Sequence, residues 1–182
     1  MKIAFVGPSA VGKDAVSEYI AKKLSLTHVS SGDIVRDYIR TNNLGNLDRK
    51  NLQIVANQLR TEKGGDVLVT IALEKTPDNL VLSGLRALDE VETFKKRGGK
   101  VVAITAPLEM RYELAKARGR IDDKVSFDDF KKIEEEEYSS KDRNGQNVAQ
   151  VISMADFEII NDGTLEELFE KSEKLTRSLI VQ

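Results

Sequence analysis

The sequence predicts an α/β fold in which a roughly five-stranded parallel sheet is flanked by helices, giving three layers. Short apolar runs alternate along the chain with longer segments of helical periodicity, and such strand–helix–strand units form right-handed crossovers. Several runs are almost continuously apolar, which is typical of parallel strands covered on both faces. The runs that we assign to strands are 2–6, 27–30, 79–83, 100–105 and 157–160.

The segments between these strands are rich in helix-forming residues. At the last helix, Thr164 and Glu167 have the spacing of a capping box, in which each side chain bonds the other residue's main-chain N–H. The stretch 119–147 is highly polar and predicts an excursion from the sheet, with Glu134–Glu137 on a solvated helix face. The helical segments are 13–24, 33–41, 49–61, 87–97, 108–118 and the residues after Thr164.

The composition excludes several kinds of site. The chain of 182 residues has no cysteine, so disulfides and thiolate metal centres are excluded, and its single histidine, His28, cannot form a histidine metal site alone. A net charge of -2 gives no overall attraction for nucleic acid. No apolar run has transmembrane length, so we expect a cytoplasmic protein without membrane or nucleic-acid partners. No obligate protein partner is evident.

A glycine-rich turn joins the first strand to the first helix. Its sequence, "GPSAVGKD", fits the phosphate-binding pattern G-x-x-x-x-G-K, in which glycines permit unusual torsions and the loop amides point at a phosphate. The strand before it and the amphipathic helix after it are the context that such a loop requires. We therefore predict a nucleotide site in which Lys13 reaches the outer phosphates. The predicted nucleotide-binding residues of the loop are Gly7, Ser9, Ala10, Val11, Gly12, Lys13 and Asp14.

Asp14 departs from the pattern, which requires Ser or Thr as a magnesium ligand at that position. The strand ending at Ser83 presents a hydroxyl where many phosphate-loop enzymes place an Asp that supports the metal. One hypothesis is that Asp14 and Ser83 exchange these roles and together hold Mg²⁺, which binds carboxylates readily. The alternative is that Asp14 only stabilises the positive end of the helix dipole. Neither interpretation removes nucleotide binding.

The segment "SSGDIVR" resembles the nucleoside monophosphate kinases, whose second strand runs into Ser/Thr-Gly-Asp and an Arg three residues later. The resemblance implies that Ser31, Asp33 and Arg36 face the phosphate acceptor. It also implies that Arg86, in "LSGLRALDE", is the arginine after the third strand of those kinases. Guanidinium groups suit this role because their planar fork offers paired, charged donors to phosphate. The alternative for Arg86 is a surface salt bridge to Asp89 or Glu90.

Nearly the whole chain is similar to a largely archaeal group often described as dephospho-CoA-kinase-like or adenylate-kinase-like. The similarity runs through "GDIVRDYIR", "GLRALDEVE", "RGRIDD" and "MADFEIINDGTLEEL". It implies a P-loop NTPase fold in which Asn161 and Gly163 lie near the nucleotide base. It also implies that Arg118 and Arg120, on either side of Gly119, belong to a lid that closes on the transferred phosphoryl group and excludes water.

These observations predict a single kinase domain over residues 1–182, with acceptor-binding helices at about 33–75 and a lid at about 119–147. The expected activity is Mg²⁺-dependent transfer from ATP to a small-molecule phosphate acceptor, either a nucleoside monophosphate or a dephospho-CoA-type compound. Asp33 either positions that acceptor or takes its proton, and GTP stays open as the donor. The alternative is a nucleotide-binding regulatory or scaffold ATPase with little or no kinase activity. Catalytic roles are predicted for Lys13, Asp33, Arg86, Arg118 and Arg120.

Overall fold

Five parallel strands form one sheet in the order β2-β3-β1-β4-β5, and this confirms the predicted fold. The computed structural model describes residues 1–119, 125–139 and 147–180. Only the third strand differs from its predicted bounds, because Asn79 has a φ of 57° and cannot extend the strand. The strands are β1 (Lys2–Val6), β2 (Thr27–Ser30), β3 (Leu80–Ser83), β4 (Lys100–Thr105) and β5 (Phe157–Ile160).

Helices cover both faces of the sheet. Among them is α4, which lies within the predicted helices at about 33–75 but was not assigned bounds of its own, because its continuous apolar run has no amphipathic period to mark a helix. None of the described helices is both long and apolar enough to cross a membrane. The helices are α1 (Lys13–Leu24), α2 (Ser31–Asn42), α3 (Arg49–Lys63), α4 (Val67–Lys75), α5 (Leu88–Lys96), α6 (Leu108–Arg118), α7 (Phe127–Ser139), α8 (Val148–Ser153) and α9 (Leu165–Ile180).

The core lies in two layers, one on each face of the sheet. Successive residues of β1 alternate between them: Ile3 and Phe5 pack under α1 and α9, whereas Ala4 and Val6 pack under α2 to α5 and α8. This alternation follows from the period of two in a strand. Because both faces are covered, the functional groups are confined to the ends of the strands.

The predicted capping box at the start of α9 is present. The main-chain N–H of Thr164 donates to Glu167 Oε2 at 2.8 Å, and the main-chain N–H of Glu167 donates to Thr164 Oγ1 at 3.2 Å. These two bonds satisfy donors that the first helical turn leaves without partners.

The expectation that Glu134–Glu137 form a solvated face was wrong for Glu134, which is buried. Phe130 lies one helical turn before Glu134, so both point to the same side of α7. That side packs on α6, where Phe130 joins an apolar cluster with Ala10 and Ala115. Glu134 and Glu135 are therefore neighbours in one run of glutamates with opposite environments, one buried and one exposed.

A buried ion pair joins α3 to α5. The side chains of Arg60 and Glu90 are 1% and 0% exposed, and Arg60 Nε donates to Glu90 Oε1 at 2.9 Å. Glu90 Oε2 accepts from the main-chain N–H groups of Arg86 and Ala87 at 2.7 and 3.1 Å. Glu90 thus fixes the turn that presents Arg86.

We expect Glu90→Gln to lower the free energy of unfolding by about 3–5 kcal/mol, because it leaves the buried Arg60 charge uncompensated. The matched control is Glu92→Gln on the same helix, whose exposed pair with Lys96 spans 3.5 Å and should cost no more than about 0.5 kcal/mol. Urea unfolding of the two variants and the parent measures both values. Equal, small losses in the two variants would contradict this assignment.

Candidate functional site: the phosphate loop and its cleft

A cavity of about 920 Å³ opens at the carboxyl ends of β1, β2 and β3. The chain crosses from β3 on one side of β1 to β4 on the other, so the strand order reverses at β1. Ligands of open parallel sheets bind at such switch points, outside the carboxyl ends of the strands. The loop after β1 and the first turns of α1 and α2 therefore face one cleft.

The loop after β1 has the torsions of an anion-binding nest. Positive φ angles occur at Gly7 (141°), Ala10 (57°) and Gly12 (95°). A side chain on Gly7 would collide with the main-chain carbonyl of Ile104, so that position requires glycine. Left-handed torsions interspersed with ordinary ones allow main-chain N–H groups to converge on an anion, and α1 adds the positive end of its dipole at Lys13.

Lys13 is buried at the base of this concavity. Its ammonium donates to the carbonyl of Pro8 at 3.2 Å, and the side chain lines the cavity. Ser9 lines the cavity beside it. The loop and Lys13 can therefore surround a phosphate group from several directions, as the glycine pattern predicts.

Asp14 lines the cavity, but Ser83 is 0% exposed and is not among the described residues that line it. The Ser83 hydroxyl lies 3.1 Å from His28 Nε2. Burial lowers the pKa of His28 below its ordinary value, against the opposing effect of nearby carboxylates, Asp14 foremost. Burial therefore favours the neutral form of the imidazole. The role of Asp14 and Ser83 as metal ligands stays a prediction.

The turn into α2 is tied to the turn after β3. Ser31 Oγ is 2.6 Å from the carbonyl of Gly84 and 3.0 Å from that of Ser83. Gly84 has a φ of 87°, and a Cβ there would lie 2.8 Å from Ser31 Oγ, so the close approach requires glycine. Ser31 lines the cavity, but its hydroxyl is already engaged by these carbonyls.

Three arginines that the sequence analysis singled out line the cavity: Arg36, Arg86 and Arg118. Arg36 Nη1 donates to Asp33 Oδ1 at 2.6 Å, and Asp33 also lines the cavity. Arg86 is held through its main chain, because its carbonyl accepts from the N–H of Asn147 at 2.9 Å.

Gly119 ends α6 with a φ of 66° and lines the cavity next to Arg118. The predicted lid arginine Arg120 lies outside the described residues, so its catalytic role stays a prediction. The described part of the predicted lid consists of Gly119, 125–139 and Asn147, with α7 as its helix.

The opposite wall lies within the predicted acceptor-binding helices at about 33–75, but the sequence analysis named none of its individual residues. This wall is the start of α3 and the loop before it, where no motif indicated a site. A signal was present in the arginines of "LDRKNLQIVANQLR", whose spacing places Arg49 and Arg60 on one helix with apolar residues between them. The residues of this wall that line the cavity are Asn46, Leu47, Asp48, Arg49, Leu52, Gln53, Ala56 and Arg60.

Asn161 supports the phosphate loop from behind. It is 4% exposed, and its Nδ2 donates to the carbonyl of Val11 at 3.1 Å. Gly163 lies against the Glu167 carboxylate of the capping box. Neither residue is among the described residues that line the cavity, so their contact with a nucleotide base stays a prediction.

Comparisons with known proteins agree with this architecture. A family model described as an AAA domain matches residues 3–140. A shikimate kinase from Bacteroides thetaiotaomicron superposes with a TM-score of 0.64 at 15% identity, covering 100% of this chain and 99% of that one. A gluconokinase from Sinorhizobium meliloti gives 0.56 at 13% identity, covering 100% and 96%. The fold is that of the P-loop kinases.

Relatives at higher identity carry a family name only. A UPF0200/UPF0201 protein of Archaeoglobus fulgidus is 34% identical over 186 residues, which cover 97% of this chain and 55% of that protein. A UPF0200 protein of Thermococcus onnurineus is 32% identical over 192 residues, covering 100% of both chains. The chain spans about half of the first relative and all of the second. Because its similarity to the second relative extends over the full length of both chains, this chain belongs to the UPF0200 family.

Proposed function

We propose that this protein is an ATP-dependent phosphotransferase acting on a nucleotide-like small molecule that bears a phosphate. The observation behind the proposal is that one cavity joins Lys13 and the phosphate loop to Arg36 and Arg86 on the far side. A protein that only binds or hydrolyses a nucleotide has no use for a second group of phosphate-binding arginines. The proposal also rests on the resemblance to nucleoside monophosphate kinases.

The donor triphosphate fits the loop. The N–H groups of the nest and the start of α1 would surround its phosphates, and Lys13 would neutralise their charge. Binding would draw the Lys13 ammonium from the Pro8 carbonyl to the phosphates. Asn161 would keep the loop in this shape through its bond to Val11.

The residues near the loop include oxygen donors of the kind that magnesium takes. The Asp14 carboxylate faces the cavity, whereas the Ser83 hydroxyl would have to turn from His28. When bound, Mg²⁺ would neutralise charge that develops on the phosphates during transfer. If the two ligands have exchanged roles, the site keeps one carboxylate and one hydroxyl.

The acceptor fits between α2 and α3. Its phosphate would lie between Arg36 and Arg86, whose guanidinium groups suit a dianion. The apolar side chains of Val35, Leu52 and Ala56 line the same part of the cavity and offer a surface for a flat, weakly polar group such as a base. A nucleoside monophosphate matches both the arginine pair and the apolar surface, and a dephospho-CoA-type acceptor is the second candidate.

Transfer requires the two substrates to meet in line, and most of the catalysis comes from positioning and charge. Asp33 holds Arg36 and would orient the acceptor, or would take the proton of an acceptor hydroxyl. Arg118, at the end of α6, would stabilise charge on the transferred group together with Arg120.

A regulatory or scaffold ATPase is the second candidate function. The observation in its favour is that Ser83 bonds His28 and does not face the cleft, which leaves Asp14 as the predicted metal ligand that does. A screen separates the two functions by offering labelled ATP or GTP with nucleoside monophosphates, nucleosides and dephospho-CoA. Phosphotransfer to a panel member supports the kinase, and slow release of inorganic phosphate alone supports the ATPase.

We expect Lys13→Met to abolish phosphotransfer, because it removes a charge from the outer phosphates while keeping the aliphatic part of the buried side chain. Lys22→Met, on an exposed position of the same helix, is the matched control and should retain the parent rate. The measurement is the initial rate at saturating ATP, with the melting temperature as a check on folding. A Lys13→Met rate within a few-fold of the parent would exclude the proposed donor site.

Replacing Arg36 or Arg86 with Gln should weaken the acceptor's apparent affinity roughly 10- to 100-fold, since each change removes a charge-assisted contact of about 1.5–3 kcal/mol. The affinity for ATP should change little. Arg40→Gln is the control, because Arg40 lies on the same helix, pairs with Asp37 at 3.1 Å and is exposed. If the two variants instead weaken ATP binding and leave the acceptor unaffected, the two halves of the cleft are assigned in reverse.

If Asp14 and Ser83 are exchanged metal ligands, the double variant Asp14→Ser/Ser83→Asp should recover activity relative to either single variant. Asp14→Ser alone leaves two hydroxyls and no carboxylate, and Ser83→Asp alone adds a second negative charge beside the triphosphate. Ligands of one metal ion couple strongly, so the effects should not add. The measurement is the Mg²⁺ concentration that gives half-maximal rate. A parent-like Asp14→Ser variant without recovery in the pair would make Asp14 a helix-dipole partner only.

A further inference from the structure

Glu134 on α7 joins two arginines, one on the wall of the cleft and one behind the phosphate loop. Its side chain is 7% exposed, and its two carboxylate oxygens have different partners. Oε1 pairs with Arg49 Nη2 at 3.2 Å, and Oε2 pairs with Arg111 Nη1. One buried carboxylate between two guanidinium groups holds both side chains in a single geometry.

The Arg111 contact reaches the phosphate loop. Arg111 is buried on α6, and its Nη1 also lies 3.4 Å from the carbonyl of Ser9, while its Nε donates to the carbonyl of Ala106 at 3.3 Å. Close by, the Ala10 methyl packs in the apolar cluster with Ala115 and Phe130. The loop between Gly7 and Gly12 is thus supported on this side by α6 and α7.

The Arg49 contact reaches the opposite wall. Arg49 is the first residue of α3 and lines the cavity, and Asp48 before it caps the helix by accepting from the main-chain N–H of Asn51 at 2.8 Å. The start of α3 is therefore held by its own cap and, across the cleft, by Glu134. Loss of the carboxylate would leave Arg49 and Arg111 close together without the charge between them.

We propose that Glu134 is a positioning residue of this site, which sets Arg49 on the acceptor wall and Arg111 behind the phosphate loop at the same time. The proposal deepens the proposed function and rests on it for the assignment of the donor side and the acceptor side of the cleft. In this arrangement α7 couples the acceptor wall to the phosphate loop. If an anionic ligand draws Arg49 away, Glu134 loses one of its two arginine partners, and its hold on Arg111 changes. An effect on one half therefore reaches the other through a single side chain.

Hydrogen exchange of the ligand-free protein tests the proposal without using its activity. In Glu134→Gln, we expect several-fold faster amide exchange in peptides covering 7–13 and in peptides covering 46–53, which are far apart in sequence. Glu135→Gln is the matched control, since it removes the same charge from an exposed neighbouring position of α7 and should leave both segments unchanged. Faster exchange confined to 127–139 would overturn the proposal, because it would show that Glu134 only anchors its own helix.

Binding of a fluorescent ADP analogue supplies the second measurement. We expect Glu134→Gln to weaken its Kd several-fold and Glu135→Gln to leave it at the parent value, although neither residue is placed on the donor phosphates. An unchanged Kd in Glu134→Gln would overturn the proposal. If the parent itself fails to bind the analogue, the proposed function fails, while the exchange pattern still decides the role of Glu134.

A third variant covers the case in which Glu134→Gln does not fold. Glu134→Asp keeps the charge but is one methylene too short to reach both arginines, so exchange should rise in at least one of the two segments. Parent-like exchange in both segments of a folded Glu134→Asp variant would overturn the proposal.

Discussion

The parallel pairing of β1 between β3 and β4 is the constraint on which the site depends. It places the loop after β1 at the centre of the sheet, beside the turn after β3 that presents Arg86 and the turn after β2, one strand further out, that presents Ser31. The loop must then pass so close to β4 that only glycine fits at position 7. The positive φ of Gly7 therefore reflects the close packing of the loop against β4 as well as the phosphate-binding pattern.

Two buried glutamates organise the charge of the cleft from behind. Glu90 compensates Arg60 and holds the main chain at Arg86, and Glu134 lies between Arg49 and Arg111. A buried carboxylate with several donors is expensive to desolvate but strongly directional once satisfied. The cleft can therefore hold several arginines close together, because the buried carboxylates offset the repulsion between their guanidinium groups.

The strands were predictable because short apolar runs alternate with longer segments of helical periodicity along the chain, as in a parallel α/β sheet. The phosphate loop was predictable because its spacing occurs together with a strand and a helix. The apolar periodicity did not reveal α4, because this helix is buried on most sides. The charge of the segment did not reveal the burial of Glu134, because a run of four glutamates does not show that Glu134 faces α6. The cavity wall at 46–56 lies within the region predicted as helices at about 33–75, but its individual residues could not be named, because tertiary packing brings a loop and a helix to the cavity from outside any motif.

His28 gives the end of β3 a natural spectroscopic label. It is the only histidine of the chain, and its imidazole lies against the Ser83 hydroxyl at the end of β3. Its ring resonances are consequently free of overlap with those of any other histidine. A change in the electric field or hydrogen bonding at the end of β3 is therefore readable from one side chain, without an introduced probe.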